Sequence, residues 1–173
     1  QGDFEMELWD LYNADGIKTG NVIKRGNSIE EGYYHLAVEV WILNSNSQIL
    51  IQKRSKSKKT LPNMWGMTTG CIVSGEDSLE GAIREAKEEI GIDITKDEMK
   101  VFRSMIHEDT LWDVYLVKKE YDISKAILQE EEVSDIKWVS TDEIRQLLKE
   151  GLFFEYPEIY ELLYEIDNNK LNI

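Results

Sequence analysis

The chain reads as a single mixed α/β domain. Short β-prone runs bounded by turn residues alternate with three amphipathic helical segments, and no repeat, low-complexity tract or linker interrupts them. Its 173 residues are enough for one hydrophobic core without covalent staples.

The elements follow in order. Residues 5–24 are expected to form a β-hairpin: Glu5 to Tyr12 alternate roughly apolar and polar, Asn13-Ala14-Asp15-Gly16 carries turn chemistry, and Ile17 to Lys24 return. After a loop through Asn27, the run HLAVEVWIL predicts a strand over His35–Leu43. Asn44 to Ser47 turn the chain into a second strand, Gln48–Arg54. Residues 55–63 are polar and basic and end in Leu61-Pro62-Asn63, a loop. Trp65–Thr69 then reads as a short strand delivering the chain to Gly70.

The helix that follows is well marked. Asp77 or Ser78 can cap it, and Asp77 with Glu80 has capping-box spacing. Leu79, Ala82, Ile83, Ala86 and Ile90 form an apolar stripe, and Gly91 supplies the stop. Strands are expected at Met99–His107, Trp112–Lys119 and Asp135–Val139. Helices are expected at Thr141–Lys149 and Pro157–Ile166, before a frayed tail at Asn168-Asn169-Lys170.

Composition narrows the partners. A net charge of −14 argues against a nucleic-acid or anionic-membrane surface. No run approaches the roughly eighteen apolar residues of a membrane span. The N-terminus, which opens on Gln1-Gly2 as a trimmed start or expression remnant would, lacks the basic-then-apolar pattern of a secretory signal. Cys71 is the sole cysteine, so no intrachain disulfide can form and a cytoplasmic setting is expected.

The chemistry concentrates between Gly70 and Ile92. Glu85, Glu88 and Glu89 stand at i, i+3 and i+4, so three carboxylates share one face of a helical turn. The apolar stripe faces the core, which puts these acids on its flank or on the opposite side. Like charges so placed repel unless a cation sits among them, and hard divalent ions such as Mg²⁺ or Mn²⁺ prefer carboxylate oxygens. Spacing alone would also suit an ordinary solvated helix face stabilised by Arg84 and Lys87.

The full pattern decides between these. Gly70, Glu76, Arg84, Glu85, Ala86, Glu88, Glu89, Gly91 and Ile92 fall in the order Gly, five residues, Glu, seven residues, Arg-Glu-bulky-x-Glu-Glu-x-Gly-bulky. This resembles the box of the Nudix hydrolases, with Ala86 smaller than the aliphatic residue usual there. The resemblance covers about residues 30–150. It implies an α/β/α sandwich around a mixed β-sheet, with residues 70–92 as a strand–loop–helix and residues 1–29 as an N-terminal hairpin extension of one domain spanning 1–173. The entry EGYYHLAVEVWI looks like the branch related to isopentenyl-diphosphate isomerase.

By resemblance, the protein would hydrolyse a small-molecule diphosphate with Mg²⁺ or Mn²⁺. Glu85, Glu88, Glu89 and the Gly70 carbonyl would be metal ligands, Glu85 the candidate general base, and Arg84 a support for Glu88. Glu76 would serve box geometry or an outer metal. Isomerases of the related branch resemble the chain at His35, Arg54, Lys58, Lys59, Pro62 and Trp65. They also need a cysteine, partner histidines and an acidic pair, whereas only His35 and His107 are present; Ile72 stands where a ligand His is expected, and Leu111 and Asp113 near the acidic pair. A binding module that lost the reaction is the third reading, although nothing in the box is broken.

Outside the box, Lys53, Arg54, Lys56, Lys58 and Lys59 form the dense basic run of an acidic chain. Arg54 and Lys58 are the candidates for gripping phosphates. Trp65 could stack on a substrate or pack in the core. Cys71 suits a small buried residue better than a nucleophile, and His35 a structural or pocket hydrogen bond better than a metal ligand. Glu108, Asp109, Glu131 and Glu132 are loop acids that could add a ligand or base. The hairpin could also add a strand to a sister subunit, giving a homodimer.

Overall fold

In the computed structural model, which describes residues 7–173, nine strands and three α-helices form three layers around a mixed sheet. The strands are β1 (Leu8–Tyr12), β2 (Lys18–Lys24), β3 (His35–Leu43), β4 (Ile49–Arg54), β5 (Trp65–Gly66), β6 (Thr68–Cys71), β7 (Met99–His107), β8 (Thr110–Lys118) and β9 (Val133–Val139). The helices are α1 (Ser78–Ile90), α2 (Thr141–Lys149) and α3 (Ile159–Asp167). The expected hairpin is β1–β2, an antiparallel pair; its Glu5 and Met6 lie outside the described residues.

β3 is buried along its whole length, because both faces of the sheet are covered. Leu36, Val38, Val40 and Ile42 pack with Ala82, Ala86 and Ile90 of α1 on one side. Trp41 and Leu43 pack with Ile144, Ile159, Leu162 and Leu163 of α2 and α3 on the other. β3 pairs in parallel with β8 from His35↔Thr110 to Leu43↔Lys118, and antiparallel with β6 from Ala37↔Cys71 to Val40↔Thr68. With β4 it pairs at Leu43↔Ile49 only, after which the two strands diverge. β4 then pairs with β9 and with the short β5. The outer edge of β5 is taken by the segment between α2 and α3: Trp65 N donates to the Leu152 carbonyl (2.9 Å) and Phe154 N to the Trp65 carbonyl (3.0 Å).

One polar group is at odds with this core. Glu39, in the middle of β3, is 2% exposed and accepts a 2.6 Å hydrogen bond from Trp41 Nε1. Beside it Glu158, just ahead of α3, is equally buried, and neither of its carboxylate oxygens has a hydrogen-bond partner. Burial and the neighbouring Glu158 push the Glu39 carboxyl well above the usual range. A raised carboxyl contributes stability that is complete below its unfolded value and is lost as the pH rises towards the folded one. Glu158→Gln should therefore raise the melting temperature at pH 8 and change it little at pH 5. Thermal unfolding at the two pH values checks this; equal shifts at both would contradict it.

Candidate active site

α1 is built by local chemistry. The Asp77 carboxylate accepts from Glu80 N (2.7 Å), closing the N-terminus. Gly91 ends the helix at φ 73°, with its N–H turned back to the Ala86 and Lys87 carbonyls. Gly81 lets α1 press on the β6–α1 loop, since a Cβ there would meet Ile72 Cδ1 at 2.2 Å.

The cation among the acids is Arg84. Its Nε and Nη2 bind the two oxygens of Glu76 (2.7 and 2.9 Å), and its Nη1 reaches Glu85 Oε1 and Glu88 Oε2 (both 3.0 Å). Nη2 also donates to the Cys71 carbonyl (3.3 Å). A planar fork can satisfy several acceptors at once, which a point charge cannot. The Glu76 hydrogen bonds lead in raising the Arg84 pKa, and Glu76 Oε1 also accepts from Val73 N. Glu76 thus ties the loop at Val73 to Arg84.

The three glutamates part company in their surroundings. Glu88 is half exposed and turned to Arg84. Glu85 lies against β6, where a Cβ on Gly70 would stand 2.1 Å from Glu85 Cδ; only glycine leaves that cradle open. Burial raises the Glu85 carboxyl to about 7, against the opposing pull of Arg84 and with Glu88 adding to it. Glu89 corrects the expected placement. It is not on the flank of the apolar stripe but buried beneath α1, next to Glu85. Burial first, then the Glu85 charge, drives its pKa well above the usual range, only partly offset by a 2.7 Å hydrogen bond from Gln52 Nε2.

Gln52 and Thr68 are site residues that sequence reasoning missed. Thr68 Oγ1 donates to Gln52 Oε1 (2.8 Å), so a polar chain runs from β6 through β4 to Glu89 where β3 and β4 have diverged. No motif announces either residue.

The remaining candidates are scattered. Arg54 lies over the Phe154 ring and donates Nε and Nη2 to the Thr60 carbonyl; Lys58 binds Glu132 at 2.6 Å. Trp65 is 8% exposed and packs in the core under Lys137 and Lys53, so its ring is occupied by protein. Glu108 and Asp109 form the β7–β8 turn, Glu131 is exposed, and Glu132 is the one of the four whose charge registers at Glu89. His35 bonds Thr110 through Nε2 (2.8 Å) and stacks on Trp9; burial pushes the Cys71 thiol up to about 11.

These residues fit a divalent ion by donor chemistry: two adjacent buried carboxyls are short of positive charge, in a cradle that a Cβ would fill. In the conformation described, Arg84 holds Glu85 and Glu88, and no three acidic, His or Cys side chains among the described residues enclose a common point.

A sequence model of the NUDIX domain matches residues 33–163. The chain belongs to the Nudix family. An uncharacterized Nudix hydrolase of Listeria monocytogenes is 37% identical over 152 residues, covering 87% of this chain and 90% of that protein. Hydrolysis of an acid-anhydride linkage comes with membership of the Nudix hydrolases. A Deinococcus radiodurans crystal structure, 23% identical, shares the fold with a TM-score of 0.72, over 92% of this chain and 99% of that one. The isopentenyl-diphosphate Δ-isomerase of Escherichia coli is 35% identical over 89 residues, 51% of this Nudix chain and 49% of the isomerase. No helix among the described residues is long and apolar enough to cross a membrane.

Proposed function

We propose that the protein cleaves the diphosphate linkage of a nucleoside diphosphate derivative or another small organic diphosphate, using Mg²⁺ or Mn²⁺ held by Glu85, Glu88, Glu89 and the Gly70 carbonyl. The observation that carries this is the buried Glu85–Glu89 pair, seated against a glycine with too little positive charge of its own. The bound ion would supply neutralisation of the phosphates and acidify a water. Arg84 orients Glu85 and Glu88, and the Thr68–Gln52 chain fixes Glu89. With its carboxyl near neutrality, Glu85 is suited to take the proton of the attacking water. Arg54 and Lys58 add positive charge beyond Gln52, and to hold phosphates they would exchange their present partners, the Thr60 carbonyl and Glu132.

The partial match to an isomerase keeps allylic isomerisation as a second reading. Of the groups that reading would use, His35 is hydrogen-bonded to Thr110 and Asp113 to Ser104. The absence of disulfides and the net charge of −14 favour a cytoplasmic enzyme that does not bind nucleic acid. A panel of nucleotide sugars, dinucleotides, coenzymes, modified nucleotides and prenyl diphosphates, assayed with Mg²⁺ for release of phosphate-containing fragments, tests the proposal. Metal-dependent cleavage of at least one is expected. Isomerised prenyl diphosphate without cleavage would replace the proposal with the second reading.

A further inference from the structure

The N-terminal hairpin lies outside the family match, which begins at residue 33, yet it grips the loop that leads into α1. We propose that β1 is the outer brace of this loop and that Asp10 is a positioning residue for the acids of α1. The inference rests on the reading of Glu85, Glu88 and Glu89 given above.

Asp10 spends both carboxylate oxygens on the loop. Oδ1 accepts from Ser74 Oγ at 2.8 Å, and Oδ2 accepts from Gly75 N at 3.0 Å. Ser74 N donates to the Leu8 carbonyl (2.7 Å), so two successive backbone N–H groups of the loop end on β1. Lys18, across the hairpin, holds Asp10 Oδ2 at 3.2 Å. Burial works to raise this carboxyl, but the bonds from Gly75, Ser74 and Lys18 outweigh it and keep it below the usual range. The register of the β1–β2 pair shifts between Asp10 and Tyr12, an irregularity of the kind that re-aims a side chain.

The brace has a fixed footing. Tyr12 and Tyr34 exchange backbone hydrogen bonds of 2.8 and 3.0 Å, and Trp9 stacks on His35 of β3 with ring centroids 4.1 Å apart. Arg25 lies over Trp9 and binds Glu7. From Gly75 the path to the acids is short. Gly75 takes φ 93°, Glu76 follows, its carboxylate accepts from Val73 N and from Arg84, and Arg84 holds Glu85 and Glu88. Loosening Gly75 releases Glu76, and with it the fork that sets two of the three acids.

The test uses the full chain, with Asp10→Asn, Asp10→Ala and the gentler Ser74→Ala beside wild type and Glu89→Gln. Hydrogen exchange reads the Val73 and Gly75 amides, and calorimetry reads the affinity for Mn²⁺ alone. The Val73 amide bonds Glu76, whereas the Asp10 carboxylate bonds Ser74, Gly75 and Lys18. The expected result is that Val73 exchange accelerates at least tenfold in the Asp10 variants and that Mn²⁺ binds about tenfold more weakly, the usual scale for losing a group that orients ligands. Protection of Val117 in the sheet should persist, which separates this from general unfolding. Faster exchange at Gly75 alone, with Val73 and Mn²⁺ affinity within twofold of wild type, overturns the proposal. If an Asp10 variant does not fold, Ser74→Ala decides by the same two readings. Equal Mn²⁺ binding by wild type and Glu89→Gln, or none by either, sinks the metal reading instead, and Val73 exchange then decides the brace by itself.

Discussion

Glu89→Gln should remove nearly all turnover and at the same time make the metal-free protein harder to unfold. Loss of a charged ligand at the reacting centre is expected to lower kcat by a factor on the order of 10²–10³ or more. The stability effect has the opposite sign because Glu89 is buried beside Glu85, and the hydrogen bond from Gln52 offsets that cost only in part. Its folded pKa lies above its unfolded one, so its stabilising contribution is complete below the ordinary carboxylate range and is lost as the pH rises. Glu85, with a pKa near 7, adds to the same trend. Wild type without metal should thus melt at progressively lower temperature between pH 5 and pH 8, and Glu89→Gln should flatten that slope. Each kcal/mol recovered corresponds to about 2–4 °C for a chain of this size. Steady-state rates at saturating Mg²⁺ and melting curves in chelator check the two halves. Near-wild-type kcat, or a melting temperature that falls at pH 8, contradicts this account of Glu89.

Gly70→Ala should separate activity from folding in another way. The backbone of Gly70 is not in the left-handed region, so alanine is conformationally acceptable there. Its Cβ, however, would stand 2.1 Å from Glu85 Cδ and 2.4 Å from Cγ and Oε1. Those atoms are the end of a flexible side chain, so Glu85 is displaced while β6 stays in place. Misplacing one reacting group by about 1 Å can cost about a hundredfold in rate. The expected result is a kcat lower by roughly that factor, with stability changed by no more than about 1 kcal/mol, in the range of ordinary substitutions. Paired kinetics and denaturant unfolding measure both. Full activity would mean that Glu85 works from a different rotamer.

Much of this was legible because the relevant signals are local. The apolar alternation of β1, the run HLAVEVWIL, and the Asp77 and Gly91 caps each act within a few residues, and each element formed where they indicate. The box spacing likewise pointed to Arg84 and the acids. Burial of Glu89 does not show in a stripe of apolar residues alone. Glu89 stands seven positions after Ala82 and three after Ala86, so helical periodicity already put it on the sheet-facing side. Gln52, Thr68 and Asp10 were not legible. Their roles depend on the divergence of β3 from β4 and on where a distant hairpin docks, and both are settled by tertiary packing. Trp65 was ambiguous at the start of a short strand, and packing against Phe153 put it in the core.

The backbone bonds from Leu152 and Phe154 to Trp65 bear on how the protein behaves when crowded. A bare strand margin is a template on which foreign chains can grow into aggregates, and this seal leaves β5 no such margin. The hairpin strand β2 is exposed instead, and it carries Lys18 and Lys24, charges of the kind that discourage strand-on-strand growth.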